Sequence, residues 1–189
     1  MNDFKFYMEF FTIPDLNIKK IEFDNNVQSI EDLKNSKDEK HKKILNGEFY
    51  FKKKDNKGKF RFWFVFGDYF YGLRFINKGS FIRIFFGVVK NLNDPIDGKI
   101  FVKNKNFPKV FGAISKIAEK EIPNFDKVIF SFRPAKNPDE SNDRKKTVRG
   151  RLYSMVLKQL GYKDIYIDDE QYLYFSKSKT SEEIKKIIS

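Results

Sequence analysis

A chain of 189 residues is long enough for one domain with its own hydrophobic core. It contains no cysteine, which excludes disulfide bonds, thiolate metal ligands and a cysteine nucleophile. Its net charge of +12 favours nucleic acid, phosphorylated ligands or acidic proteins as partners. The first residues do not show the basic segment followed by an apolar segment that is typical of a signal peptide. The longest apolar run, 62–66, is too short to cross a membrane. We therefore expect no membrane partner and no secretion by a signal peptide.

Residues that could carry metal or hydrolytic chemistry are few. His41 is the one histidine, and because it lies in the charged run 38–43 we expect a solvated surface residue rather than a member of a Ser–His–Asp triad. Asp168, Asp169 and Glu170 are adjacent and could hold a hard cation. Three adjacent acids in a turn are more often solvated, so we predict no metal site.

The first 47 residues predict an extension of the core. Apolar residues alternate in 4–11 and again in 18–24, with a Pro14-Asp15 turn between them, which indicates a β-hairpin. The stretch 29–46 is polar with weak helical anchors, and Gly47 would end a helix there.

Residues 48–89 predict an antiparallel meander of four strands. The turn signals between the strands are Asp55–Gly58, Gly67-Asp68 and 77–79. Aromatic side chains fall on both faces of these strands, so they could form a base-stacking platform or a core with two sides. We favour the core, with helices on one face and the terminal hairpin on the other.

The rest of the chain predicts helix, strand, helix, hairpin and a last helix. The helices are expected at 107–122 and 143–160, with a strand at 127–132 between them and a short edge strand at 100–102. A hairpin at 165–175 and a helix that starts at Thr180 complete the chain. The residues expected to be buried together are Val110, Phe111, Ile114, Phe130, Leu152 and Val156.

Basic residues gather where the two central helices start. Residues 103–151 hold 13 Lys and Arg against 6 Asp and Glu, which is more than half of the excess charge of the chain. Cations at a helix N-terminus are unfavourable unless an anion binds there. We therefore predict an anion-binding or nucleic-acid-binding edge, with a solvated basic surface as the alternative. Its candidate residues are Lys105, Lys109, Gly112, Arg144, Lys145, Lys146, Arg149 and Arg151.

Three motifs follow the predicted meander: Val110-Phe111 in a helix, Phe130-Ser131 in a strand and Arg151-Leu-Tyr153 in a second helix. This succession, with the hairpin after it, resembles the GNAT-type acetyltransferase fold over residues 48–175. It looks closer to the GNAT-like proteins of bacteriophages. The resemblance implies that the first helix binds a pyrophosphate and that the protein is located in the host cytoplasm or in a virion.

The resemblance also implies where a cofactor and a catalytic residue would lie. The acetyl-CoA loop of the family reads Gln/Arg-x-x-Gly-x-Gly/Ala, and the nearest match is Lys109-Val-Phe-Gly112-Ala-Ile114. Tyr153 falls where the family often has a general-acid tyrosine, although a tyrosine in an amphipathic helix is more often a packing residue.

These observations predict one α+β domain over 1–189. We expect a GNAT-like mixed, mainly antiparallel sheet with helices packed on it, made of an N-terminal hairpin and helix (1–47), a core (48–176) and a C-terminal helix (177–189). The predicted function is that of a phage-type accessory or virion protein without catalysis or cofactor, whose basic edge binds nucleic acid or an acidic protein surface. One alternative is an acetyl-CoA-dependent N-acetyltransferase, and another is a purely structural interaction protein.

Overall fold

The computed structural model describes residues 13–23, 26–96, 107–133, 148–162, 164–170 and 172–189, with only the backbone for 107, 148–152 and 164. The strands are β1 (Lys19–Ile21), β2 (Phe49–Lys54), β3 (Phe60–Phe66), β4 (Tyr69–Asn77), β5 (Ile82–Val89), β6 (Phe130–Phe132), β7 (Asp164–Ile167) and β8 (Leu173–Ser176). The helices are α1 (Ile30–Asn35), α2 (Glu39–Leu45), α3 (Phe107–Glu121), α4 (Val148–Gln159) and α5 (Ser181–Ile188).

All eight strands belong to one open sheet in the order β1-β2-β3-β4-β5-β6-β8-β7. Two neighbouring pairs, β1 with β2 and β5 with β6, are parallel, and the other five are antiparallel. The predicted α+β class with a mainly antiparallel sheet is therefore confirmed.

The four-strand meander forms as the turn signals predict. Gly67 has a φ of 61° between β3 and β4, a backbone conformation that glycine adopts without steric cost. Gly72 in β4 is required for packing, because a Cβ there would lie 2.7 Å from the indole ring of Trp63. The absence of a side chain at Gly72 thus leaves room beside β4 for the fully buried indole of Trp63 on the neighbouring strand β3.

One face of the sheet, here called the inner face, is covered by α3 and α4. Residues of both helices and of β6 share one apolar cluster, and α3 reaches a second cluster on the meander. Five of the six residues expected in the core are buried, and the side chain of Leu152 is not among those described. Those five are Val110, Phe111, Ile114, Phe130 and Val156.

The opposite, outer face is covered in two separate places. α1 and α2 pack on the β2–β3 side, and α5 packs on β7 and β8. The prediction that a terminal hairpin covers this face is wrong for the described residues, because the apolar stripes of these three helices take that place. The proposed first hairpin strand, 4–11, lies outside the described residues, and β1 pairs with β2 in parallel.

Residues 29–46 form two helices rather than one. α1 ends at Asn35, and Asp38 caps α2 by accepting the N–H of Lys40 at 2.8 Å. This second helix turns His41 inward, so that it is 8% exposed and its Nδ1 lies 2.7 Å from Ser36 Oγ. The expectation of a solvated histidine is therefore wrong.

The C-terminal part agrees with the sequence. β7 and β8 form the predicted antiparallel hairpin, and Thr180 caps α5. The described part of α4 starts at Val148, and its predicted first turn at 143–147 and the edge strand at 100–102 lie outside the described residues. In the part of the chain that the structure describes, no helix has both the length and the apolar character to cross a membrane.

Candidate functional site: the edge where α3 and α4 begin

Strands β5 and β6 separate at the end of the sheet where the two central helices begin. Their parallel pairing is limited to Ile82 with Phe130 and Arg83 with Ser131. Each strand is followed by a helix that packs back on the inner face, so α3 and α4 both begin near the carboxyl ends of β5 and β6. In open sheets with parallel neighbours, ligands commonly bind outside such carboxyl ends.

Aromatic rings join the two helix starts. Phe111 in the second turn of α3 lies 5.2 Å from Tyr153 in α4, measured between ring centroids. The ring of Phe111 also contacts Phe86 of β5 at 6.1 Å, and Tyr153 contacts Phe132 of β6 at 5.0 Å. Edge-to-face and tilted pairs at these distances are favourable beyond the area they bury. The starts of α3 and α4 are thereby held side by side.

Neither helix has an acidic residue in the first turn that the structure describes. In α3 that turn contains Lys109, whose side chain is exposed, and in α4 it contains Arg149 and Arg151. The partial positive charge of a helix N-terminus makes each such cation unfavourable by ~0.3–1 kcal/mol, and an anion bound there reverses the sign. Two adjacent starts of this kind make an edge suited to phosphate groups.

The structure describes only part of the predicted anion site. It places Lys109 and Gly112 in α3, and it places the backbone of Arg149 and Arg151 in α4. The predicted convergence of their side chains stays a prediction. The remaining candidates lie outside the described residues: Lys105, Arg144, Lys145 and Lys146.

Gly112 has a packing partner within the chain. A Cβ at this position would lie 3.2 Å from the carbonyl oxygen of Pro14 and 3.3 Å from side-chain atoms of Ile13 and Leu16. The segment 13–16 therefore lies directly against this face of α3. The sequence indicates only a turn at Pro14, and no local signal shows that it meets a helix almost a hundred residues later.

The described parts of β5, β6, α3 and α4 enclose a small apolar cavity near Gly112. The rings of Phe86, Phe111, Phe132 and Tyr153 pack against one another beside β5 and β6, and the cavity next to them has a volume of about 30 Å³ with an apolar lining. Pockets for ligands of that size usually measure ~300–1,000 Å³. The side of Gly112 on which a Cβ would lie is against segment 13–16.

Tyr153, the candidate general acid, is 3% exposed and lies in the aromatic cluster that joins the helix starts. Its surroundings give the ring a packing role, and its catalytic role stays a prediction. Among the described residues, no three His, Asp or Glu side chains are close enough together to hold a metal ion. Asp168 instead accepts the Tyr172 N–H at 2.8 Å and the Tyr174 hydroxyl at 2.9 Å.

Comparisons of this chain with protein-family models, with curated proteins and with solved structures found no match.

Proposed function

We propose that this chain is a GNAT-like accessory or virion protein of the bacteriophage type, which binds nucleic acid through the edge where α3 and α4 begin and does not transfer acetyl groups. The observation that carries the proposal is the 5.2 Å contact between Phe111 and Tyr153, because it brings together α3 and α4 near their first described turns, which hold basic residues and no acid. Phosphate groups are the ligands that such an edge accepts without further polar residues.

The order of the elements supports a GNAT-like relation. A meander, a helix, a strand parallel to the last meander strand, a second helix and a hairpin follow one another, as the sequence motifs predict. The β8 strand lies between β6 and β7, so the hairpin extends the sheet beyond the point where β5 and β6 separate.

The aromatic packing beside β5 and β6 supports binding rather than catalysis. An acetyltransferase needs space for the pantetheine arm of its cofactor between the separating strands, and the packed rings of Phe86, Phe111, Phe132 and Tyr153 lie beside these strands. A protein that binds only phosphate groups at the rim needs no such space, since helix N–H groups and basic side chains make the contacts.

The salt dependence of oligonucleotide binding tests the proposal. Phosphate contacts release counterions, so the affinity of the wild type should fall steeply with salt and depend little on base sequence. We expect Lys109→Ala/Arg149→Ala to reduce the log–log slope by roughly 0.7–0.9 for each phosphate that the variant no longer binds. The matched control is Lys158→Ala/Lys186→Ala, which removes the same charge from the last turns of α4 and α5.

Two results would count against this function. A slope that the double variant leaves unchanged would make the basic edge a solvated surface and favour a purely structural protein. No binding at low salt would exclude nucleic acid and leave an acidic protein surface as the partner.

The N-acetyltransferase alternative has its own test. A bound cofactor stabilises the folded state by mass action, so acetyl-CoA would raise the melting temperature of an enzyme. We expect no rise. Were a rise observed, Tyr153→Phe should lower turnover much more than cofactor binding, because a general acid typically contributes ~10²–10⁴-fold to the rate.

A further inference from the structure

The middle of the outer face of the sheet carries a strip that no described helix covers. On one side α2 contacts β2 and β3, and on the other α5 contacts β7 and β8. Between them, the outward side chains of β4 and β5 include Arg74, Arg83 and Phe85. Arg74 and Phe85 are direct cross-strand neighbours, and Phe85 is 45% exposed. An aromatic ring is thus presented to solvent between two arginines of an open sheet face.

The arginines of this strip differ from another arginine of the same face. Arg61 of β3 donates from Nε to a carboxylate oxygen of Asp55 at 2.7 Å, and both side chains are largely buried. Among the described residues, neither Arg74 nor Arg83 is within ion-pair distance of a carboxylate, and the same holds for Arg133 after β6. Their charge is therefore not neutralised by the described part of the chain.

Aromatic stacking holds two of these guanidinium groups in place. The guanidinium carbon of Arg83 lies 4.0 Å from the ring centroid of Tyr172 and 5.4 Å from that of Phe81, and the carbon of Arg133 lies 5.5 Å from the Tyr172 centroid. Stacking fixes the plane of a guanidinium group while its edge stays available for an oxyanion. The guanidinium groups of Arg83 and Arg133 are thus both positioned by the ring of Tyr172.

The polar groups next to Arg83 do not neutralise it. Its Nε and the Oγ of Ser131, its partner across β5 and β6, are buried and make no hydrogen bond of normal geometry with the residues that the structure describes. Asp168 accepts hydrogen bonds from Tyr172 and Tyr174 and forms no ion pair with Arg83. Burial and this carboxylate raise the pKa of Tyr174 to about 12, although Arg83 and the nearby Ser131 hydroxyl oppose the rise. The Tyr174 phenol therefore stays neutral and supplies no counter-charge.

We propose that this strip binds single-stranded nucleic acid, with Arg74, Arg83 and Arg133 on phosphate groups and a base stacked on Phe85. A base has an apolar face that fits an exposed ring, and a single strand presents that face together with its phosphates. A duplex hides the faces of its bases inside the stack, and so it could use the arginines only. The strip is on the other face of the sheet from α3 and α4, so this site does not depend on the helix starts.

Binding of a mixed-sequence single strand, measured by fluorescence anisotropy, tests this site. Phe85→Ala should weaken the affinity roughly five- to a hundred-fold, because stacking on an aromatic ring contributes that much for each base. Arg74→Gln should reduce the log–log salt slope by roughly 0.7, the value for one phosphate contact on a single strand. The matched controls are Phe60→Ala, which removes a ring that is 55% exposed at the far end of the inner face, and Lys158→Gln.

Each outcome decides the proposal. Weaker binding of the single strand by Phe85→Ala but not by Phe60→Ala, with an unchanged melting temperature and a smaller loss of duplex affinity, supports it. Full affinity of Phe85→Ala for the single strand overturns it, and so does an equal loss of affinity for duplex and for single strand in Phe85→Ala. If Lys109→Ala/Arg149→Ala lowers the salt slope while Phe85→Ala has no effect, the helix starts bind nucleic acid and the strip does not.

Discussion

Helices α5 and α3 begin in opposite ways within one chain. At α5 the Thr180 hydroxyl accepts the N–H of Glu183, and the Glu183 carboxylate accepts the N–H of Thr180 at 2.8 Å. At α3 the first turn has Lys109 and no acid. A Lys-rich composition would affect both starts alike, so it does not explain the difference. α5 thus begins with a reciprocal cap, whereas the described first turns of α3 and α4 hold basic residues and no acid, which is the difference on which the proposed anion site rests.

The largest effect is expected from breaking the contact that joins the two basic starts. Phe111→Ala removes a buried ring that packs on Phe86 and Tyr153, and we expect the free energy of unfolding to fall by ~3–5 kcal/mol in a urea titration. Phe60→Ala is the control, since Phe60 is 55% exposed and its loss should cost well under ~1 kcal/mol. A decrease below ~1 kcal/mol for Phe111→Ala would mean that α3 does not pack as described.

A smaller effect is expected from removing the cap of α5. Thr180→Ala should lower the free energy of unfolding by ~1 kcal/mol, because the N–H of Glu183 loses its acceptor. Chemical denaturation of the wild type and the variant at neutral pH measures this difference.

The cap also predicts a pH dependence. The backbone N–H and the hydroxyl of Thr180 hold the pKa of Glu183 below the ordinary value of a glutamate. A carboxylate with a lowered pKa stabilises the fold fully above its unfolded value, and the contribution is lost as the pH falls through the folded pKa. Thr180→Ala keeps the backbone N–H and removes the hydroxyl, so its destabilisation should be largest at neutral pH and shrink in acid only by the part that the hydroxyl donates to the carboxylate. A difference that grows in acid would contradict the capping box.

The sequence predicted those parts of the fold that depend on neighbouring residues. The alternation of Phe60, Phe62 and Phe64 predicted β3, the Gly67-Asp68 pair predicted its turn, and Thr180 followed by Glu183 predicted the start of α5. In each case the physical cause lies within a few residues, as strand alternation, a positive φ or a reciprocal cap.

Contacts between distant segments could not be predicted in this way. His41 is buried because α2 packs on the outer face of the sheet, and the charges around it in the sequence do not show this. Gly112 meets Pro14, a partner far away along the chain. Phe85 is exposed because the outer helices do not cover its part of the sheet. In the sequence it alternates with its neighbours as a buried strand residue would, so its exposure could not be predicted.

The smallest change, Lys109→Glu, tests the central claim most directly, because it has opposite effects on stability and on binding if the start of α3 is an anion site. An acid at the positive end of α3 should stabilise the free protein by ~0.3–1 kcal/mol. The same acid should repel phosphate groups and reduce the rise in melting temperature that an oligonucleotide produces in the wild type. Lys158→Glu, in the last turn of α4, has the same net charge and is the control.

The decisive measurement is the oligonucleotide-induced rise in melting temperature of wild type, Lys109→Glu and Lys158→Glu at one salt concentration. We predict a large rise for the wild type and for Lys158→Glu, and a small rise for Lys109→Glu, which starts from the highest melting temperature without ligand. A Lys109→Glu protein that melts no higher than the wild type alone, and gains as much from the oligonucleotide, would contradict an anion site at the start of α3.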